Sequence, residues 1–238
     1  MSLPKIRLEL CERESADVWR LDSGQARHLV KSLRCYEGAM IEGLLPDEGG
    51  HNLLMRLEKL DGLRLRTVGS SETRCAGRRV VLLVGLLKSE QFDAALRAAA
   101  ELGVYEMFPL LCERSVPRLS AGEFPKKMAR WRRILDEGSK VSGYPSVTKL
   151  REPILPAALE WSEFPEARYA AFLSSEARPI SEASGARDVA FAVGPEGDWT
   201  EGEVSLLLEN NFRPVGLGAG VLRSSTAVIV GCGWFRLS

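Results

Sequence analysis

Two glycine-rich segments hold the residues best suited to chemistry: Val193-Gly194-Pro195-Glu196-Gly197, and the run from Leu217 to Ala227 that reads LGAGVLRSSTA. The first follows the apolar stretch Val189 to Val193, the second follows Val215 to Leu217, and each precedes a helix-like segment. Strand-to-helix turns of this kind present backbone N–H and C=O groups, and two of them together build a ligand crevice in α/β proteins. Gly194, Gly197, Gly218 and Gly220 lack a Cβ and so permit close approach. Leu217, Val221 and Leu222 offer apolar surface beside them. Arg223 and Glu196 are the charged groups in these turns. A cation held there can stabilise negative charge that develops during a reaction. The same two residues can instead pair with each other, or Arg223 can clamp backbone and Glu196 can orient its loop.

Gly216, Gly218 and Gly220 do not make a dinucleotide fingerprint. That motif opens a βαβ unit with an acidic residue about 20 positions later on a second strand. One helix-length segment follows here, with no second strand. No G-x-x-x-x-G-K-[ST] run is present, so a P-loop is unsupported.

Alternating strand and helix signals place these turns in an α/β domain. Arg79 to Leu87 reads as a buried parallel strand, because its apolar run is continuous. Ser89 is the expected cap of a helix whose face is Phe92, Ala95, Leu96, Ala99 and Leu102, closed by Gly103. Val104 to Leu111 is the next strand, and Pro125 starts a helix reaching Val141. Strands follow at Arg168 to Leu173, Val189 to Val193 and Pro214 to Leu217. Thr200 and Glu203 form a capping box. Ser224 or Ser225 caps the last helix, whose Val228, Ile229, Val230, Trp234 and Phe235 pack on the sheet or on a partner.

Residues 1–75 read differently, as a small β-rich domain with one helix. Met40 to Leu45, Asn52 to Leu57 and Leu63 to Val68 are short strands between turn signals. Ser23 is the expected cap of the helix carrying Arg27 to Arg34, with Gly38 just past its end. Cys75-Ala76-Gly77 is the expected linker. Arg27, Lys31 and Arg34 are spaced for one helix face, and Lys126, Arg130 and Arg133 repeat the spacing. Such stripes are solvated faces or anion contacts.

Composition narrows the classes. The 238 residues allow one large or two modest domains. Lys and Arg number 32 and so do Asp and Glu, which argues against indiscriminate nucleic-acid coating but leaves room for a local basic face. No apolar run approaches about 18 residues, so no membrane span is expected. The N-terminus lacks a signal-peptide core, and Ser2-Leu3 is native or a cloning scar. Five scattered cysteines without C-x-x-C argue against a disulfide framework or zinc site and fit a reducing cytoplasm. Only His28 and His51 are present, so no metal centre is expected.

The two glycine-rich segments together resemble the GPEGG and LG-x-R-I-L-R-x-E-T-A motifs of the RsmE family of ribosomal RNA methyltransferases, of the SPOUT class. Arg27-His28-Leu29-Val30-Lys31-Ser32-Leu33-Arg34 resembles that family's HL-x-x-VLR helix. Lys88, Glu101-Leu102-Gly103-Val104, Pro109 and Glu113-Arg114-Ser115 resemble its K…ELGV…P…ERS run. Trp131 to Gly143 resembles its RW-x-x-I…QSGR helix. The likeness spans nearly the whole chain. It departs at Val141 and Tyr144 for Gln and Arg, at Asp198 for the last glycine of GPEGG, and at Gly220 and Ser225 for an Arg and a Glu.

The resemblance implies a PUA-like RNA-binding β-barrel over 1–75 and a SPOUT α/β domain with a trefoil knot over 76–238. It implies a homodimer that binds S-adenosylmethionine and methylates N3 of a uridine in 16S rRNA of the small ribosomal subunit, with neither metal nor membrane. It implies a cofactor site at Leu173, Ser174, Gly194, Pro195, Glu196, Gly197, Leu217, Gly218, Gly220, Val221, Leu222, Arg223 and Thr226. RNA contacts would come from Arg27, His28, Lys31, Arg34, Lys88 and Arg114, and catalysis from Arg223 and Glu196. Lys88 and Arg114 can alternatively neutralise strand ends near Glu90 and Glu113. The departures leave two alternatives: a diverged RNA- or cofactor-binding protein with weak or no turnover, or a methyltransferase of the same fold acting on another base.

Overall fold

The computed structural model describes residues 3–8, 11–45, 51–60, 62–72, 78–117, 122–142, 144, 147–172, 174, 176–183 and 186–238. The expected linker at 75–77 and the site candidate Leu173 lie outside these residues. The chain divides into two compact units, one of 1–76 with 139–146, the other of 77–138 with 147–238. A single cut at 75 does not capture 139–146. That segment joins the first unit, where the buried Arg7 guanidinium donates to Ser139 Oγ at 2.5 Å and Lys5 Nζ donates to the Ser142 carbonyl at 3.3 Å.

The first unit contains β1 (Lys5–Arg7), β2 (Glu12–Arg13), β3 (Val18–Arg20), α1 (Ser23–Arg27), β4 (Met40–Leu44), β5 (His51–Leu60) and β6 (Gly62–Glu72). They form one sheet in the order β1-β4-β5-β6-β3-β2. Its core includes Leu8, Trp19, Leu29, Ile41, Met55 and Leu65. β5 and β6 run longer than their apolar residues suggest, because they pair antiparallel along their whole length.

The cap of α1 is Asp22, not Ser23. Asp22 Oδ1 accepts the Gln25 N–H at 2.7 Å, and Gln25 Oε1 accepts the Asp22 N–H at 3.1 Å. The expected single helix over Arg27 to Arg34 is also broken. His28–Ser32 is a π-helical turn, with the Leu33 N–H on the His28 carbonyl at 3.0 Å, and it buries Leu29 completely. Arg34 then takes φ +54. Arg27, Lys31 and Arg34 are all exposed, but the wider turn and left-handed exit remove the regular spacing that would align them.

The second unit contains β7 (Arg79–Gly85), α2 (Ser89–Glu101), β8 (Glu106–Leu110), most of α3 (Phe124–Ser142), β9 (Lys149–Leu150), β10 (Ala167–Ala171), β11 (Arg178–Pro179), β12 (Asp188–Val193), α4 (Glu201–Glu209), β13 (Arg213–Gly216) and α5 (Ser224–Leu237). The sheet order is β11-β13-β10-β12-β7-β8-β9, and every pairing is parallel. Alternate residues serve two cores. Val80, Leu82, Val84 and Phe191 join side chains of α2, α3 and α5. Val81, Leu83, Ala190 and Ala192 join Trp199, Leu207 and Phe212. Burial on both faces explains the uninterrupted apolar run of β7. A Cβ on Gly231 would stand 2.2 Å from ring carbons of Phe191, so this glycine sets how closely α5 lies on β12.

Helix ends follow sequence rules unevenly. Thr200 and Glu203 make the expected capping box of α4. Gly103 takes φ +65 just past α2. Ser89, Ser224 and Ser225 do not cap: the N-cap positions of α2 and α5 are Lys88 and Arg223, neither with a side-chain capping bond. The Ser225 hydroxyl instead donates to Gln91 Oε1.

Candidate functional site

Parallel register brings three strand ends to one level. Ala171 of β10 pairs with Val193 of β12 on one side and Val215 of β13 on the other. The chain leaves β12 and β13 there as the two glycine-rich loops. Between them lies a cavity of about 580 Å³. Gly194, Pro195 and Glu196 line it from one loop, and Leu217, Gly218, Gly220, Val221, Leu222 and Arg223 from the other. Gly197, Ser174 and Thr226 are not part of its lining.

The first loop is tied down. Glu196 Oε1 accepts the Lys88 backbone N–H at 2.8 Å, at the N-terminus of α2 where carboxylates are favoured. Arg114 Nη1 donates to the carbonyls of Trp199 at 3.0 Å and Gly197 at 3.4 Å. Glu203 links both ends: Oε1 accepts the Glu113 N–H and Oε2 the Thr200 N–H, each at 2.9 Å. These bonds give several glycines a packing role. A Cβ on Gly197 would lie 2.8 Å from Arg114 Cβ, and one on Gly194 would lie 3.0 Å from the Trp199 ring. A Cβ on Gly85 would lie 2.6 Å from the Pro195 nitrogen. Gly218 and Gly220 differ, since a Cβ on either meets no atom within 4 Å.

Arg223 is exposed and lines the cavity. Among the described residues it makes no ion pair with Glu196. Lys88 also lines the cavity, and Arg114 holds the first loop. Arg27, His28, Lys31 and Arg34 are exposed in the first unit. In the second basic stripe, Arg130 pairs with Asp93, and Arg133 lies 3.6 Å from Glu137. Gln91, Phe172 and Asp198 line the cavity without having been singled out as contacts from the sequence. Asp198 carried a signal, being an acidic residue inside a glycine turn. Gln91 and Phe172 look like ordinary helix and strand-end residues. Among the described residues, no cluster of three or more His, Cys, Asp or Glu could hold a metal ion, and no helix is long and apolar enough to cross a membrane.

Comparison with known proteins agrees with this arrangement. The family model of the RNA methyltransferase domain matches residues 75–236. Ribosomal RNA small subunit methyltransferase E of Synechocystis is 29% identical, over 88% of this chain and 70% of its own length. The Bacillus subtilis protein of that name is 24% identical, over 93% and 91%. Among solved structures, ribosomal RNA small subunit methyltransferase E of Neisseria gonorrhoeae, bound to S-adenosyl methionine, superposes with a TM-score of 0.82 at 25% identity, covering 98% of this chain and 96% of that one. A probable rRNA-methyltransferase from Porphyromonas gingivalis gives 0.76 at 26% identity, again covering 98% and 96%. With a parallel α/β sheet, paired glycine-rich loops at its strand ends and a family match over most of its length, the chain belongs to the RNA methyltransferase domain family, among the RsmE ribosomal RNA methyltransferases.

Proposed function

We propose that this protein methylates N3 of a uridine in 16S rRNA of the small ribosomal subunit, with S-adenosylmethionine as methyl donor. The observation that carries this reading is the cavity between the two glycine-rich loops, in the fold of a family whose Neisseria member binds that cofactor. The residues present fit the group. A volume of about 580 Å³ suits a small-molecule site. Val193, Leu217, Val221 and Leu222 supply apolar surface for an adenine. Gly218 and Gly220 leave open space where side chains would stand, and Glu196 and Asp198 provide negative charge for a cationic ligand.

Bound there, S-adenosylmethionine supplies a methyl group on a cationic sulfonium. The chain's own task is to align the acceptor nitrogen with that methyl and exclude water. N3 of neutral uracil carries a proton, and its loss spreads negative charge onto the flanking carbonyl oxygens. Arg223 stabilises that charge from the cavity wall. Glu196 holds its loop through the Lys88 N–H, a supporting role. The target base leaves its stack before entering.

The same reading gives the second unit the SPOUT trefoil knot and residues 1–75 the PUA-like barrel, with Arg27, His28, Lys31 and Arg34 on RNA. It makes the protein a cytoplasmic homodimer. The exposed apolar side chains of α5, Ile229, Val230, Trp234 and Leu237, support the dimer. A second reading, a binding protein without turnover, is favoured by Gly220 and Ser225. Labelled cofactor and small subunits lacking the modification separate the two. Label should enter one uridine and map to N3; cofactor binding without incorporation would select the second reading.

A further inference from the structure

Asp198 adopts φ +61, a left-handed conformation that glycine takes without strain and other residues rarely take. Its N–H donates to the Pro195 carbonyl at 3.0 Å, and its Oδ1 accepts the Trp199 N–H at 2.8 Å. That local bond explains how an aspartate is tolerated there. It does not explain why a charge is present.

Asp198 lines the main cavity and also a second one, of about 380 Å³, bounded by Phe172, Trp199 and Glu201. Phe172 and Asp198 are common to both. The charged residues lining the main cavity are Lys88, Glu196, Asp198 and Arg223. Each of the two carboxylates accepts one backbone N–H and keeps its charge: Glu196 takes that of Lys88, across to the start of α2, and Asp198 takes that of its neighbour Trp199. Asp198 has no ion-pair partner among the described residues. It is therefore a negative charge available to a cation in the cavity, and unlike Glu196 it does not tie its loop to another element.

We infer that Asp198 makes the site selective for the charged form of the cofactor: its carboxylate attracts the sulfonium of S-adenosylmethionine and loses that partner once the methyl has left. This rests on the methyltransferase reading. In the reaction the S–CH₃ bond breaks, its electron pair stays on sulfur, and the methyl bonds to N3 of uracil as N3 gives up its proton, which passes to bulk solvent. The cationic sulfonium becomes a neutral thioether, while the amino and carboxyl groups of the methionine part are unchanged. Donor and product thus differ at this carboxylate by one charge, and the attraction that favours donor binding does not oppose product release.

The test is calorimetric titration of S-adenosylmethionine and S-adenosylhomocysteine into the intact protein, Asp198→Asn and Asp198→Gly. Asparagine tolerates the left-handed backbone and keeps an acceptor for the Trp199 N–H, while glycine removes the strain. Both variants should fold with a melting temperature no lower than the parent. Each should bind S-adenosylmethionine about fivefold more weakly, the scale of one solvent-accessible charge pair, and S-adenosylhomocysteine within about twofold of the parent. Added salt should narrow the parent's preference for the charged ligand and leave the variants' preference nearly unchanged. Equal losses for the two ligands, or no loss, would overturn the assignment of Asp198. An unmodified protein that binds neither ligand would overturn the methyltransferase reading itself.

Discussion

The carboxylate of Glu196 accepts the backbone N–H of Lys88 at 2.8 Å, joining the loop after β12 to the first turn of α2. Among the described residues Glu196 makes this bond and no ion pair with Arg223. Glu196→Ala should cost about 1 kcal/mol in denaturant unfolding and weaken cofactor binding. Glu196→Gln keeps an acceptor and should lose less. The Glu196→Ala and Arg223→Ala effects on cofactor affinity should add to within about 0.5 kcal/mol. Strong non-additivity would restore the ion-pair interpretation.

Arg223 should matter more to turnover than to binding, because only contacts stronger in the transition state accelerate chemistry. Arg223→Ala should lower kcat by about a hundredfold, with cofactor affinity nearly unchanged. Arg223→Lys should recover little where the planar guanidinium fork is needed. Steady-state kinetics and cofactor titration on both variants provide the check.

Two glycines of one site should respond in opposite ways. Gly85→Ala places a Cβ 2.6 Å from the Pro195 nitrogen, which is backbone and cannot rotate away. It should lower stability by about 1–3 kcal/mol and disturb the first loop. Gly220→Ala meets no atom within 4 Å and should leave the melting temperature unchanged. It should still weaken cofactor binding if the ligand fills that space. Thermal melts paired with calorimetry separate the cases.

The exposed cations of the first unit should contribute to RNA affinity through phosphates. Replacing Arg27, Lys31 and Arg34 together with Ala should weaken RNA binding and flatten its salt dependence, leaving cofactor affinity intact. Because Arg34 leaves the helix at φ +54, the three single substitutions should have unequal effects. Filter binding across a salt series measures both quantities; an unchanged slope assigns these residues to solvent.

Cys232 is fully buried in α5, and burial pushes its thiol up to about 12. A thiol raised in the folded state supports folding fully below its ordinary value near 9 and loses that support as pH rises toward 12. The melting temperature should therefore fall between pH 9 and pH 11. Cys232→Ala should fall less steeply, and native Cys232 should resist alkylation at pH 8.

Local signals were legible where local energetics decide. The continuous apolar run of β7, the Thr200–Glu203 box and the left-handed Gly103 all follow from nearest neighbours. The cavity-lining glycines were readable for the same reason. What escaped depends on distant partners. β9 and β11 have two residues each and exist because a neighbouring parallel strand offers hydrogen bonds. Ser225 looks like a cap, but Gln91, 134 positions away, takes its hydroxyl. The motif around Arg114 does not express that its guanidinium meets two carbonyls of a loop more than 80 residues downstream. The π-helical turn at His28 buries Leu29, and helical periodicity does not express such a turn.

The bonds on the loop after β12 have an entropic consequence. Lys88, Arg114 and Glu203 fix that wall during folding, so little of its freedom remains to be lost when a ligand arrives. Among the described residues, Leu217 to Leu222 has no comparable set of ties. The conformational entropy of binding is thus concentrated in one wall. Amide exchange should slow on ligand addition mainly between Leu217 and Leu222, while Asp198 and Trp199, whose N–H groups are already bonded, are protected from the start.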